Sequence, residues 1–465
     1  MRTPAAVAQA FSSRLKMFEA GIRCGVVPPR WRVARPLLSA STLILVLPFL
    51  GISFGTEPNS TARQRLDQTR EEVRAAHTAR DAAAYLAKSK EMRDLLNGSP
   101  NSVLQVMSAE AFAGDGEAAL RSLARYIAMG QSDSQAFEGK QFEALRKSDR
   151  FRGLQDQMRR NDSAIATGSE VFPMPEAGLI PEDIDYDAAT KQFYVTSVLK
   201  KEILAMDLKG HGRVFAQAPD SWPMMALKID SKRRMLWATE VALNGFASVP
   251  KADWKTSAIL IYDLESGRLM HRIAGPAKTT LGDLALTPDG DAILSDNDGG
   301  VYRADGKSLS VERVDQGDFI SPQTAVVWPD GRHAFVPDYL RGIAILDLAT
   351  KQVSWLDGGA RHALCGIDGI YLHGRTLIAT QNGASPERVV RFELEKSLRQ
   401  VESESIIERA TPSLGDPTHG VLVGGWFFYI ANSGWDGIED DGSPKAGSTP
   451  ARALLMRVDL GARSK

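Results

Sequence analysis

Between Leu179 and Gly437 the chain repeats one pattern six times: a turn, an apolar run, a Gly- or Lys-rich turn, and a second apolar run ending in polar residues. The six instances are IPEDIDYDAATKQFYVTS, WPMMALKIDSKRRMLWATE, LGDLALTPDGDAILSDN, PQTAVVWPDGRHAFVPDY, GIDGIYLHGRTLIATQN and THGVLVGGWFFYIANSGWD. From about Ser163 onward the apolar positions recur with a period of two, as half-buried strands require. A third apolar run follows in each unit: EILAMDL, AILIYDL, GGVYRAD, GIAILDL, RVVRFEL and ALLMRVDL. The units start roughly 40 to 60 residues apart, a spacing that belongs to propeller blades or other repeat arrays. Six units of strands joined by tight turns, with Pro-Asp-Gly at Pro288–Gly290 and Pro329–Gly331, predict an all-β six-bladed propeller over residues 163–461.

The C-terminus sharpens that expectation. After Ala453–Leu460 only GARSK remains, so the last unit lacks an outer strand. The stretch SEVFPMP, Ser169–Pro175, precedes the first unit and is predicted to supply it, closing the ring and removing two open strand edges.

Upstream, over 61–162, β-branched runs give way to helix formers with apolar positions three and four apart. SVLQVMSAEAFAGDGEAALRSLARYIAMG reads as two helices broken at Gly114–Gly116, with Ala111, Ala113, Ala118 and Ala119 allowing close approach and Leu120, Leu123 and Tyr126 filling the seam. That pair resembles a tetratricopeptide repeat, and FEALRKSDRFRGLQDQMRRN resembles the helices that close such arrays. One or two repeats form no long groove. The region is therefore either a packing collar for the next domain or a platform for a protein partner.

Residues 36–54 carry no charge and are long enough to cross a bilayer as a helix. The leader 1–35 holds Arg2, Arg14, Lys16, Arg23, Arg30, Arg32 and Arg35 against the single acid Glu19. The positive-inside rule then predicts a single-pass membrane anchor with a cytoplasmic N-terminus and the propeller on the periplasmic or extracytoplasmic side. A cleaved signal peptide is the alternative. A net charge of −1 with 24% charged residues gives no basic field for nucleic acid. The two cysteines, Cys24 and Cys365, fall on opposite sides of the expected membrane, and Cys365 reads as an apolar strand residue.

In a propeller the first strand of each blade starts, and the second ends, on one face. The starts are Glu182, Trp222 with Met224, Asp283, Gln323, Asp368 and His419. The ends include Ser197, Glu240, Asp296, Asp338, Asn382 and Asn432. Oxygen-bearing side chains thus gather on one rim, which suits a hard divalent cation such as Ca²⁺. Trp222, Glu240, Asp296, Asp338, Asn382 and Asn432 form the candidate substrate rim, although aspartates that end such strands often only fix the next loop. Two insertions, Val241–Ser257 and Ser433–Pro450, rise over the same funnel and bring Trp254 and Trp435 with them.

With Pro181–Ile184, the Pro-Asp-Gly turns, Asp368–Ile370, Ser295-Asp296 and Pro337-Asp338 in view, the propeller resembles the gluconolactonase, senescence-marker-protein (regucalcin) and paraoxonase group. The resemblance implies a divalent metal at the channel mouth, held here by Glu182, Asp283, Gln323 and Asp368, that polarises a lactone or ester carbonyl. Asp368 or His419, the only one of the seven histidines expected on the funnel face, would then be the general base. The chain departs from the family at Gly282, where an Asn is usual, and at Gln323, an amide one methylene longer. Two readings follow: a metal-dependent hydrolase of a small-molecule lactone or ester, or a non-catalytic propeller that binds a ligand or protein over a degenerate metal site.

Overall fold

Six antiparallel sheets follow one another along the chain, each ordered inner to outer. The computed structural model describes residues 60–461, and the leader and the 36–54 span lie outside them. Among the described residues no helix is long and apolar enough to cross a membrane. Blade 1 covers 181–217, blade 2 224–274, blade 3 281–313, blade 4 326–355, blade 5 369–409 and blade 6 420–459.

Blade 6 closes as the missing strand requires. Ser169–Pro173 pairs antiparallel with Leu454–Asp459, in the register Ser169 to Arg457 and Pro173 to Leu454. Phe172 on that strand is buried, 6.1 Å from the Phe193 ring of blade 1, which in turn lies 5.2 Å from Phe428 of blade 6. The seam between first and last blades is therefore an aromatic cluster, and burial of rings this size contributes about 2 kcal/mol each. One element the pattern does not announce is Ile165–Ala166, a two-residue strand that pairs with the outer strand of blade 5, Val401–Arg409.

The helical region folds as α1 (Ala62–Thr78), α2 (Ala82–Leu95), α3 (Pro100–Phe112), α4 (Gly116–Ala128), a short α5 (Glu143–Arg146) and α6 (Asp149–Asn161). Thr61, Asp81, Asp115 and Ser148 cap α1, α2, α4 and α6 by accepting from backbone N–H groups in the first turn. The α3–α4 hairpin buries Val103 and Met107 with Leu120, Leu123 and Tyr126, as the spacing predicts.

These helices sit against the propeller. Ala62 N donates to Gly317 O (2.8 Å), Asn97 Nδ2 to Arg341 O (3.1 Å), and Ser132 N to Ser385 O (2.7 Å). Arg388, wholly buried in blade 5, donates to Gln381 Oε1 (2.6 Å) and Met129 O (3.4 Å). Gly317, Arg341 and Ser385 all lie in loops of the funnel face. The region is thus a collar over the funnel side of blades 4 and 5. Cys365 sits in the loop that leads into blade 5, not in a strand, and is a half-buried free thiol that burial pushes up to about 12. His362 shares that loop, so His419 does not have the funnel face to itself.

Candidate functional site

The inner strands of the first three blades are each broken by a bulge at the funnel end. In blade 1, Pro181 faces Ser197 and Ile184 faces Val195, so Glu182 and Asp183 together oppose Thr196. Strict alternation would turn one of two adjacent acids away from the channel. The bulge brings both to its mouth.

Asp183 is fully buried and accepts from Lys228 Nζ (2.6 Å), Leu227 N (2.9 Å) and Ile184 N (2.8 Å). Asp185, two residues on, accepts from Ile229 N (2.7 Å), and its burial pushes its pKa up to about 6. Across the channel, Thr324 Oγ1 lies 2.6 Å from Asp283 Oδ1 and 2.8 Å from His419 Nε2. His419 Nδ1 donates to Glu182 O (2.8 Å), and its Nε2 lies 3.3 Å from Asp283 Oδ1. Burial opposes a charge on this imidazole, but Asp183, Asp283 and Glu182 outweigh it and lift the pKa to about 10. His419 is therefore an imidazolium with both nitrogens engaged.

The remaining acids are also engaged. Glu182 Oε2 accepts from Trp435 Nε1 at 2.5 Å. Asp368 Oδ2 accepts from Asn382 Nδ2 at 2.5 Å, and the same amide reaches Asp416 Oδ1 at 3.0 Å while Asn382 Oδ1 accepts from Tyr339 OH. Gln323 turns its amide nitrogen to Ser321 O and Oγ, both 3.3 Å away. Tyr371 OH, beside these carboxylates, accepts from Gly420 N (2.6 Å), and burial holds its pKa well above the usual phenol value.

The predicted rim divides. Asn382 joins the channel network. Asp296 accepts from Thr280 N and Oγ1 (both 3.0 Å) and Asp298 N (3.2 Å), and Asp338 from Ile320 N, Ser321 N, Leu340 N and Arg341 N. Both aspartates fix loops. Asn432 Oδ1 accepts from Leu454 N (2.6 Å) and holds the third strand of blade 6. Glu240 lies away from the channel beside Asp220 and Arg272 of blade 2's outer side, where burial and then Asp220 raise its pKa to about 8. Trp222 is buried beneath the insertions with its Nε1 on Asp253.

The two insertions meet over the funnel. Ala247 N donates to Asp441 O (2.9 Å), the Phe246 and Trp435 rings stand 6.3 Å apart, and both pack with Ile180, Trp222 and Val241. Trp435 therefore caps Glu182 from an apolar lid. Site residues that the sequence does not single out are Asp183, Lys228, Thr324 and Tyr371. Thr324 and Lys228 carried no motif. Asp183 was visible as the second acid of Pro-Glu-Asp-Ile.

Among the described residues no group of three or more His, Cys, Asp or Glu side chains is placed to hold a metal ion. The donor chemistry agrees: Glu182, Asp283 and Asp368 each already accept from a protein donor. Several buried acceptors stand open among the described residues, Glu240 Oε1, Thr418 Oγ1 and Asn297 Oδ1 among them. Asn297 Oδ1 is buried without a partner, and its Nδ2 lies 3.3 Å from where a Cβ on Gly282 would stand.

No family model matches the chain, and no curated protein matches it. Its neighbours among solved structures include six-bladed propellers of the gluconolactonase and regucalcin kind. A gluconolactonase from Xanthomonas campestris is 15% identical, the match covering 63% of this chain and 89% of that one at a TM-score of 0.43. A calcium-binding protein, regucalcin, from Agrobacterium tumefaciens is 14% identical over 64% of this chain and 95% of its own, also at 0.43. A virginiamycin B lyase from Staphylococcus aureus is 13% identical over 56% and 80%, at 0.40. The fold assignment rests on the sheet topology above.

Proposed function

We propose that this chain is a ligand-binding propeller, held by its N-terminal apolar segment at an extracytoplasmic membrane face, whose funnel is a degenerate form of a metal-dependent lactonase site. The observation that carries this reading is His419. A fully buried imidazolium, bonded to Glu182 O and lying between Thr324 and Asp283, supplies the positive charge that a divalent ion would otherwise bring to these acids. Lys228 does the same for Asp183. A carboxylate in a dry channel needs a cation or donors, and here the chain provides its own. The lid over Glu182 supports the same conclusion.

The test is elemental analysis of the purified chain together with its melting with and without Ca²⁺, Glu182→Gln serving as control. No bound metal, no Ca²⁺ shift and no turnover of a lactone and aryl-ester panel are the expected results. Stoichiometric metal with chelator-sensitive turnover would overturn the reading. Carbonate extraction of membranes and protease accessibility of intact cells test the anchor and its orientation.

A second reading, hydrolysis of a small lactone or ester, is favoured by Asn297. Its side chain stands beside Gly282, where the family carries an Asn, with Nδ2 toward that position and Oδ1 open. In that reading Trp435 withdraws from Glu182, and Asp368 is the base, because an imidazolium at His419 has no lone pair to accept a proton. Asn297→Ala would then abolish turnover, whereas in the binding reading it only removes an orphaned acceptor.

A further inference from the structure

Away from the channel, the collar and the propeller enclose a polar cleft that the function above does not use. One cavity, of about 360 Å³, is lined by Asn97, Gly98, Arg341, Trp355, His362 and Cys365 among others. A second, of about 420 Å³, shares Asn97 and Gly98 and adds Arg93, Asp94 and Arg125. Such volumes match metabolite-sized ligands.

Several arginines gather at this cleft and behind its wall. Arg93 takes Asp94 Oδ1 with two bonds of 2.7 and 2.9 Å. Arg125 Nε is buried with no hydrogen-bond partner, and its guanidinium lies so near the main chain that a Cβ on Gly98 would stand 2.5 Å from Nη2. Arg341 stacks on Trp355 at 4.3 Å and donates to Asp318 O, yet its Nε is also buried without a partner. Behind the wall made by Met129 and Cys365 sits a further guanidinium, the fully buried Arg388, with Nη2 unbonded. Burial lowers the pKa of Arg125, with Arg93 adding to the effect, and burial lowers Arg341 and Arg388 too. Each also has an acid nearby: Asp94 acts on Arg125, Asp338 and Asp318 on Arg341, and Glu404 on Arg388 at 3.9 Å, while Asp357 lines the cavity with its Oδ1 accepting from Gly359 N at 2.7 Å.

We propose that the cleft between the α2–α3 turn and blades 4 and 5 is a binding site for a phosphate-bearing ligand, with Arg125 and Arg341 as its anchors. Guanidinium forks match the oxygens of a phosphate, and Arg125 and Arg341 line the two adjoining cavities in which such a group would sit. The phosphate belongs either to a free small molecule or to a lipid headgroup. This site goes beyond the funnel and stands or falls independently of it.

The experiment is thermal unfolding of the purified full chain in neutral detergent, with inorganic phosphate against chloride at matched ionic strength. Micelles doped with phosphatidylglycerol or phosphatidylcholine form the second arm. Phosphate is expected to raise the midpoint saturably by several degrees, and Arg125→Gln and Arg341→Gln are each expected to remove the shift. A shift with phosphatidylglycerol alone, lost in the same variants, assigns the headgroup as the source. Equal behaviour of phosphate, phosphatidylglycerol and chloride, or a shift that survives both substitutions, overturns the site. Should a variant fail to fold, calorimetric titration of the unmodified chain with inorganic phosphate decides, and absence of saturable heat refutes the proposal.

Discussion

His419 shows how one side chain can organise a channel. Its imidazolium is bonded on both sides and surrounded by acids, so removing it leaves carboxylates buried without a cation. His419→Ala should cost about 3 to 5 kcal/mol in urea unfolding, the range for breaking a buried ion pair. A loss below about 1 kcal/mol would show the channel acids to be solvated instead. The pH dependence follows from a folded pKa of about 10 above an ordinary value of 6.5. The folded state holds the proton more tightly, so this contribution is complete below pH 6.5 and fades as pH rises through 10. Glu240 acts in a lower window. Its folded pKa of about 8 lies above the ordinary 4.5, so stability falls as pH rises from 4.5 through 8. Glu240→Gln should therefore flatten the melting profile across that window and raise the midpoint at pH 8. An unchanged profile would place the Glu240 carboxyl in contact with water.

At the scale of strands, a hydroxyl near the end of the second strand recurs as a stitch between blades. Thr196 Oγ1 accepts from Asp183 N of its own blade and donates to Met225 O of the next. Thr239 does likewise with Ala226 N and Gly282 O, and Ser295 donates to Gln323 O. The bulges leave backbone groups unpaired by the sheet, and these hydroxyls satisfy them. Thr239→Val keeps the shape and removes both bonds, so a loss of about 1 to 3 kcal/mol is expected. Wild-type stability in that variant would make the stitch incidental.

The stitch was written in the sequence as YVTS, WATE and ILSD, and the blade count was legible because period-two runs and Pro-Asp-Gly turns are local signals. The site was less legible for a geometric reason. A bulge changes which residues face inward, and neither Asp183 beside Glu182 nor the vacancy at Gly282 can be placed until it is located. The side chain that stands beside Gly282 is that of Asn297, fifteen positions later in the chain, just past the end of the next strand. Likewise Lys228 meets Asp183 only when blade 2 packs on blade 1, and His419 meets Glu182 O only when ring closure brings blade 6 against blade 1.

At the scale of the whole molecule, Arg388 joins two substructures. It lies inside blade 5, yet one bond goes to Met129 at the end of α4. Arg388→Met should uncouple them, so that calorimetry resolves two transitions where the unmodified chain gives one. A single unshifted transition would assign the coupling to the backbone bonds at Gly317 and Ser385 instead. The closing strand has a further consequence, for time instead of stability. Ser169–Pro173 is made before any blade but finds its partner, Leu454–Asp459, only after the first five blades have been made. Until then Phe172 has half of its aromatic nest. A ring completed by its two extremes waits on its most distant contact, and contacts so far apart along the chain form slowly.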